Sequence, residues 1–104
     1  MVKVKITVIK TFSPEDVFGK KEKIPSNEIT TPCPKANEGQ EYFVENLDKP
    51  EGFCGWAWRD IYKDLSVLWF GGDFPWNKPP KGVAYTACTD GLRPVCFKLE
   101  RIEM

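Results

Sequence analysis

One stretch of this sequence has both the length and the periodicity of a substantial helix. Its apolar residues recur every three or four positions, at Cys54, Trp58, Ile61, Leu65 and Leu68. Gly71 and Gly72 follow and provide a helix stop. All 9 prolines lie outside this stretch, and proline interrupts both helices and central strands. We therefore predict one main helix from about Cys54 to Phe70, with a core completed by short strands.

Four short segments have the composition and alternation of strands. Residues 2–12 place apolar side chains at alternate positions, as in a half-buried strand. Residues 41–45 are rich in aromatic and β-branched side chains, and residues 83–89 and 94–102 flank an Asp-Gly turn. The predicted fold is therefore α+β: a small, mostly antiparallel four-stranded sheet packed against one main helix, in β-β-α-β-β order.

The chain is predicted to form a single domain over residues 1–104, a length typical of one domain. Ser13 followed by Pro14 is a favourable helix start, so one short helical turn is expected there. Beyond this turn the chain is polar, rich in proline and without a period. This composition predicts a long loop at about residues 13–40, and loops of that length are often functional or mobile.

Charge and hydropathy argue against several classes of partner. The 15 basic and 15 acidic residues give a formal charge of zero, whereas nucleic-acid binding needs a surplus of basic side chains on one face. No segment has the roughly 20 apolar residues of a membrane span, and the lysines between Lys3 and Lys10 do not fit a signal peptide. We expect a cytoplasmic protein that binds neither nucleic acid nor membrane and keeps its cysteines reduced.

The sequence contains no histidine. This excludes Cys-His dyads, Ser-His-Asp triads, histidine-ligated zinc hydrolases and the usual general base near neutral pH. Side-chain chemistry then depends first on the four cysteines, which are Cys33, Cys54, Cys88 and Cys96. Cys54 opens the predicted helix, where the positive end of the helix dipole favours a thiolate.

The alternation in the last two predicted strands indicates where two of these cysteines lie. If the odd-numbered apolar positions of both strands share one face, paired positions sum to an even number. Cys88 and Cys96 would then share the other face, either directly opposite or diagonal to each other. We therefore expect these two thiols to be close. Their face is either solvated or covered by the 13–40 loop, which would bring Cys33 toward it.

Several segments together form a recognisable pattern. They are Cys33-Pro34, Glu38-Gly39-Gln40, Phe53-Cys54-Gly55-Trp56-Ala57-Trp58, Gly71-Gly72 and Cys88-Thr89-Asp90-Gly91-Leu92-Arg93-Pro94. From about residue 3 to 102 the chain resembles a family of short conserved hypothetical proteins of bacteria and archaea, common in anaerobes. The resemblance implies no catalytic role, but it indicates characteristic positions for Cys33, Cys54 and Cys88. The family pattern often has a second cysteine where this chain has Ala87, and it requires none at Cys96.

The leading functional hypothesis is a thiolate metal site. Cys33, Cys54 and Cys88 would be the ligands and Cys96 a fourth, for an iron–sulfur cluster, zinc or copper(I). The alternative is that these are reduced, half-buried core thiols, since no pair forms a C-x-x-C motif. A second hypothesis is a redox or nucleophilic enzyme in which Cys54 attacks, assisted by Asp, Glu or Lys in place of histidine.

A third hypothesis is a non-catalytic binding or oligomeric module. Several aromatic side chains lie off the apolar stripe or crowd the helix exit: Trp56, Trp69, Phe70, Phe74 and Trp76. They could form a ligand surface or a homo-oligomer interface, or they could cap the core.

Two further groups of charged residues have both a functional and a structural interpretation. Asp90 and Arg93 could orient an anionic or carbonyl ligand, although Asp-Gly is also ordinary turn chemistry. Asp60 and Asp64 lie four positions apart, with Arg59 and Lys63 beside them. We expect this set to be a solvated face of the main helix.

Overall fold

A computed structural model describes residues 2–20, 31–76 and 79–103. Its elements are β1 (Val2–Thr11), α1 (Pro14–Phe18), β2 (Glu41–Val44), α2 (Gly55–Trp69), β3 (Val83–Ala87) and β4 (Val95–Glu103). The four strands form one antiparallel sheet in the order β2-β1-β4-β3. The predicted α+β fold, with one main helix packed on a small antiparallel sheet, is confirmed. Within the described residues, no helix is long and apolar enough to cross a bilayer.

The apolar alternation of β1 determines which face of the sheet is buried. Val4, Ile6 and Val8 are almost fully buried, and the core also contains Val44, Phe53, Ala57, Ile61, Leu65, Leu68, Ala84, Val95, Phe97 and Leu99. The opposite face of the sheet carries charged pairs, such as Lys5 between Glu41 and Glu100 at 3.5 Å from each. An antiparallel sheet can leave one face to water in this way.

The main helix begins and ends close to where its periodicity predicts. Cys54 is the N-cap and Phe70 the C-cap, and Ala57, Ile61, Leu65 and Leu68 are buried against the sheet. Gly71 adopts a φ of 91°, a conformation that glycine accepts without strain. The N–H of Gly72 donates to the carbonyl of Val67 at 2.8 Å, and that of Gly71 to Leu68 at 3.1 Å. These two bonds form a Schellman motif, so the Gly-Gly pair ends the helix as expected.

The pairing of β3 with β4 differs from the expected register. Ala84 pairs with Leu99 and Thr86 with Phe97, so paired positions sum to an odd number. The connection is longer than predicted, because β3 ends at Ala87 and β4 begins at Val95. Within it, the Asp90 carboxylate accepts from the backbone N–H of Leu92 and Arg93, at 2.8 and 3.0 Å. Those amides therefore bond within the turn instead of across the strands.

The changed register separates the two cysteines that we expected to lie close on one face. Cys88 packs against the core on the helix side of the sheet, and its N–H donates to the carbonyl of Val95 at 3.0 Å. Cys96 pairs with Ala87 and faces the other side of the sheet, because successive side chains of a strand alternate. The prediction that these two thiols share one face is therefore wrong.

The segment predicted as a long loop contains the short helix that Ser13-Pro14 indicates. Ser13 and Asp16 form a capping box at the start of α1. Residues 21–30 lie outside the described residues. At the end of the segment, Gly39 donates to the carbonyl of Val8 at 2.8 Å and Val8 donates to that of Gln40 at 2.9 Å. These bonds hold Gly39 and Gln40 beside β1, and Cys33 and Ala36, earlier in the same segment, pack against the core.

Candidate functional site

A pocket of about 480 Å³ lies beside the N-terminal end of α2. Residues 33–36, the first turns of α2 and the turn between β3 and β4 surround it, with the ends of the sheet as its floor. Three of the four predicted site cysteines line it: Cys33, Cys54 and Cys88. Cys96 is absent from the lining, as its position on the other face of the sheet requires.

Cys54 is positioned by the turn that leads into α2. The ammonium group of Lys49 donates to the carbonyl of Phe53 at 2.9 Å, and Phe53 N–H donates to the carbonyl of Pro50 at 3.1 Å. Cys54 then accepts the first helical bond from Trp58 through its carbonyl, while its side chain makes no capping bond.

Cys88 is held by a reciprocal pair of bonds with Val95. Besides the backbone bond, the N–H of Val95 donates to the Cys88 sulfur at 3.2 Å. Burial raises the pKa of the Cys88 thiol, and the carboxylates of Asp90 and Asp60 add to the increase, against the lowering effect of backbone N–H donors. Cys88 is therefore a neutral thiol near pH 7 and a poor nucleophile. Its side chain forms part of the pocket wall.

We expect the raised pKa of Cys88 to make the folded protein less stable in alkali. The folded thiol binds its proton more tightly than the unfolded one, so its stabilising effect is complete below about pH 8.5. The effect is lost as the pH rises through the folded-state pKa. Urea unfolding between pH 7 and 10 should show a steeper loss of stability in the wild type than in Cys88→Ser. Cys96→Ser should follow the wild type, and three parallel curves would contradict the prediction.

Asp64 joins α2 to β3, and Asp60 joins α2 to the connection that follows β3. Asp60 accepts from the N–H and the hydroxyl of Thr89, at 2.8 and 2.9 Å, and Asp64 accepts from the hydroxyl of Thr86 at 2.6 Å. Both carboxylates are half-buried, so the expectation of a solvated helix face is wrong for them. Their four-residue spacing places both above the edge strand. Without the register of β3, the sequence does not indicate their threonine partners.

Two guanidinium groups face the same pocket. Arg59 lies over the ring of Trp56, with 4.9 Å between its guanidinium carbon and the ring centroid, and Arg93 is half-buried in the β3–β4 turn. Within residues 2–20, 31–76 and 79–103, neither arginine forms an ion pair. The Asp90 carboxylate next to Arg93 is already bonded to the turn backbone. The structural interpretation of Asp90 as a turn residue is thus confirmed. Arg93, in the same turn, lines the pocket.

Aromatic rings form much of the apolar wall. Phe53 contacts Tyr42 edge to face at a centroid distance of 5.0 Å, and Phe97 in a tilted arrangement at 5.5 Å. Trp56, 71% exposed, stands at the mouth of the pocket. A cavity with aromatic walls and a few polar groups at its mouth is the usual form of a small-molecule site.

The cysteines of the pocket do not form a ready-made metal site in this structure. In the parts of the chain that the structure describes, no three Cys, Asp or Glu side chains are close enough together to hold one ion. All four cysteines are free thiols. Cys33, Cys54 and Cys88 therefore surround a common space without forming a closed ligand set.

The aromatic side chains at the exit of α2 divide into two groups. Trp69 and Phe74 pack against the core, as the structural interpretation predicted. Phe70 and Trp76 are largely exposed, at 76% and 63%. Trp76 also contacts Phe74 edge to face at 5.2 Å.

Comparisons with known proteins give no relative from which a role could be inferred. No protein-family model, curated protein or solved structure matches the chain.

Proposed function

We propose that this protein is a binding domain that takes a small molecule into the three-cysteine pocket. The observation that carries the proposal is the convergence of three distant chain segments, at residues 33–36, 53–60 and 88–97, on one cavity of about 480 Å³. That volume lies within the range of small-molecule sites. The absence of histidine and the neutral Cys88 thiol favour binding over catalysis.

A neutral fluorescent probe, N-phenyl-1-naphthylamine, tests whether the pocket binds apolar molecules. We expect saturable binding of one probe per chain in the wild type. Ala36→Phe places a ring in the pocket and should weaken binding about tenfold or more, because Ala36 is part of the lining. Ala87→Phe is the matched control, since Ala87 pairs with Cys96 on the other face of the sheet. No saturable binding, or equal binding by both variants, would contradict the proposal.

A thiolate metal or iron–sulfur site is the second candidate function. It is supported by the presence of Cys33, Cys54 and Cys88 around one cavity. An ion could bind there if the three sulfur atoms moved closer together on binding. Zinc and iron should then bind stoichiometrically to protein purified without oxygen, and Cys54→Ser should lose the metal while Cys96→Ser keeps it. Substoichiometric metal in the wild type would end this candidate.

We further propose that the protein works in the cytoplasm. The metal candidate depends on thiols that remain reduced, the three cysteines of the pocket are free, and the cytoplasm maintains that state. Self-association through the exposed Phe70 and Trp76 is a separate proposal, which sedimentation at micromolar concentration would test. A strict monomer would contradict it.

A further inference from the structure

We infer that the pocket selects an organic anion: a molecule with an apolar, ring-sized body and a carboxylate or phosphate group bound by Arg59 and Arg93. This inference rests on the proposed binding function and specifies its ligand class. Two features of the pocket carry the inference. Its walls are aromatic and can receive the apolar body, and two guanidinium groups line the same cavity and can bind the charge.

The cavity is lined by both acidic and basic side chains. Five ionisable side chains other than cysteine and tyrosine line it: Lys35, Arg59, Asp60, Asp90 and Arg93. The two carboxylates accept two hydrogen bonds each from the protein itself. The three cations form no ion pair within the described residues. Three cations and two carboxylates leave the lining with a net charge of +1, and none of the three cations is paired directly with a carboxylate.

Two of the three cations that line the pocket are arginines. A guanidinium offers planar, paired N–H donors that match the oxygens of a carboxylate or a phosphate. Arg59 is oriented by its stacking on Trp56, which reduces the entropy lost when it binds a ligand. Arg93 is half-buried, so its interaction with an anion is less screened by water than that of a fully exposed residue.

The interior of the pocket is largely aromatic. Phe53 and Phe97 are buried, and Tyr42 is half-buried beside them. The neutral thiol of Cys88 adds a soft, weakly polar surface. This environment favours an apolar body over a fully hydrated ion, so inorganic phosphate alone should bind poorly.

Two matched probes test the inference. 8-Anilinonaphthalene-1-sulfonate has the skeleton of N-phenyl-1-naphthylamine with one added negative charge. We expect the double variant Arg59→Gln/Arg93→Gln to weaken binding of the anionic probe about tenfold or more. Binding of the neutral probe should change less than about twofold, because the apolar walls are intact. The double variant Lys20→Gln/Lys81→Gln, which changes two exposed residues outside the lining, removes the same two charges and controls for net charge.

The outcomes separate this inference from the proposed function. If the neutral probe binds but loss of both arginines leaves the anionic probe unaffected, the charge inference is overturned and the binding function stands. If neither probe binds, the proposed function itself fails. Competition by 1-naphthoate and by 1-naphthyl phosphate then identifies which acidic group is preferred. Inorganic phosphate that competes as well as the naphthyl compounds would show that no apolar body is selected.

Discussion

Phe53→Ala is expected to destabilise the protein by about 3–5 kcal/mol, the range for removing a buried aromatic ring. Phe53 is 5% exposed. Its ring contacts Tyr42 at a centroid distance of 5.0 Å, Phe97 at 5.5 Å and Trp58 at 6.3 Å. These rings come from different parts of the chain, so alanine leaves a cavity that no single neighbour can fill. Urea unfolding followed by circular dichroism measures the loss.

Trp56→Ala provides the control for this substitution. Trp56 lies three residues further along the chain and is 71% exposed, so its removal should cost less than about 1 kcal/mol. Equal destabilisation by the two variants would show that Phe53 is not the centre of the aromatic cluster. Phe53→Leu should lie between them, because it retains much of the buried volume.

Arg101→Ala is expected to cost about 2–4 kcal/mol. The Arg101 guanidinium donates to the carbonyl of Leu68 at 3.1 Å and to that of Gly72 at 2.8 Å. It also contacts the carboxylate of Asp73 at 3.4 Å, and the side chain is only 10% exposed. Alanine would remove the donors that satisfy carbonyls at the end of α2 and the positive charge that the helix dipole favours there.

Arg101→Lys and Lys98→Ala complete this experiment. Lysine keeps the charge but cannot reach both carbonyls with a fixed planar fork, so we expect it to recover only part of the stability. Lys98 lies on the same strand and contacts Glu100 at 3.8 Å in a more exposed pair. Its replacement should cost no more than about 1 kcal/mol. If Arg101→Ala cost as little as Lys98→Ala, the bonds to the helix end would contribute no measurable stability.

The elements of the fold could be predicted because each has a local signal. The 3.6-residue period of α2 and the alternation of β1 result directly from which side chains meet the core. The register of β3 against β4 could not be predicted in the same way. It depends on the length of the connection between the two strands, and adding one residue to a turn reverses which face each side chain occupies.

The candidate site was predicted only in part, for a related reason. The absence of histidine directs attention to the cysteines, and three of the four line the pocket. The partner of Asp60, and the convergence of Arg59 and Arg93 on one cavity, depend on contacts between segments that are about 30 residues apart, such as Asp60 with Thr89. A charged residue on a helix has the same local pattern whether it faces water or another strand. Its role therefore becomes visible only once the strands are in register.

The two ends of α2 perform separate tasks. Its first turns border the cavity, whereas its last turn is secured by the Schellman motif and by Arg101. A 15-residue helix separates these ends by about 20 Å, beyond the distance at which substitutions usually influence each other. The exposed lining residues of these first turns, Trp56 and Arg59, can therefore be exchanged, by mutation or by engineering, without loosening the anchored end. The same scaffold could carry a different set of side chains at the mouth of its cavity while the Schellman motif and Arg101 keep the end of α2 in place.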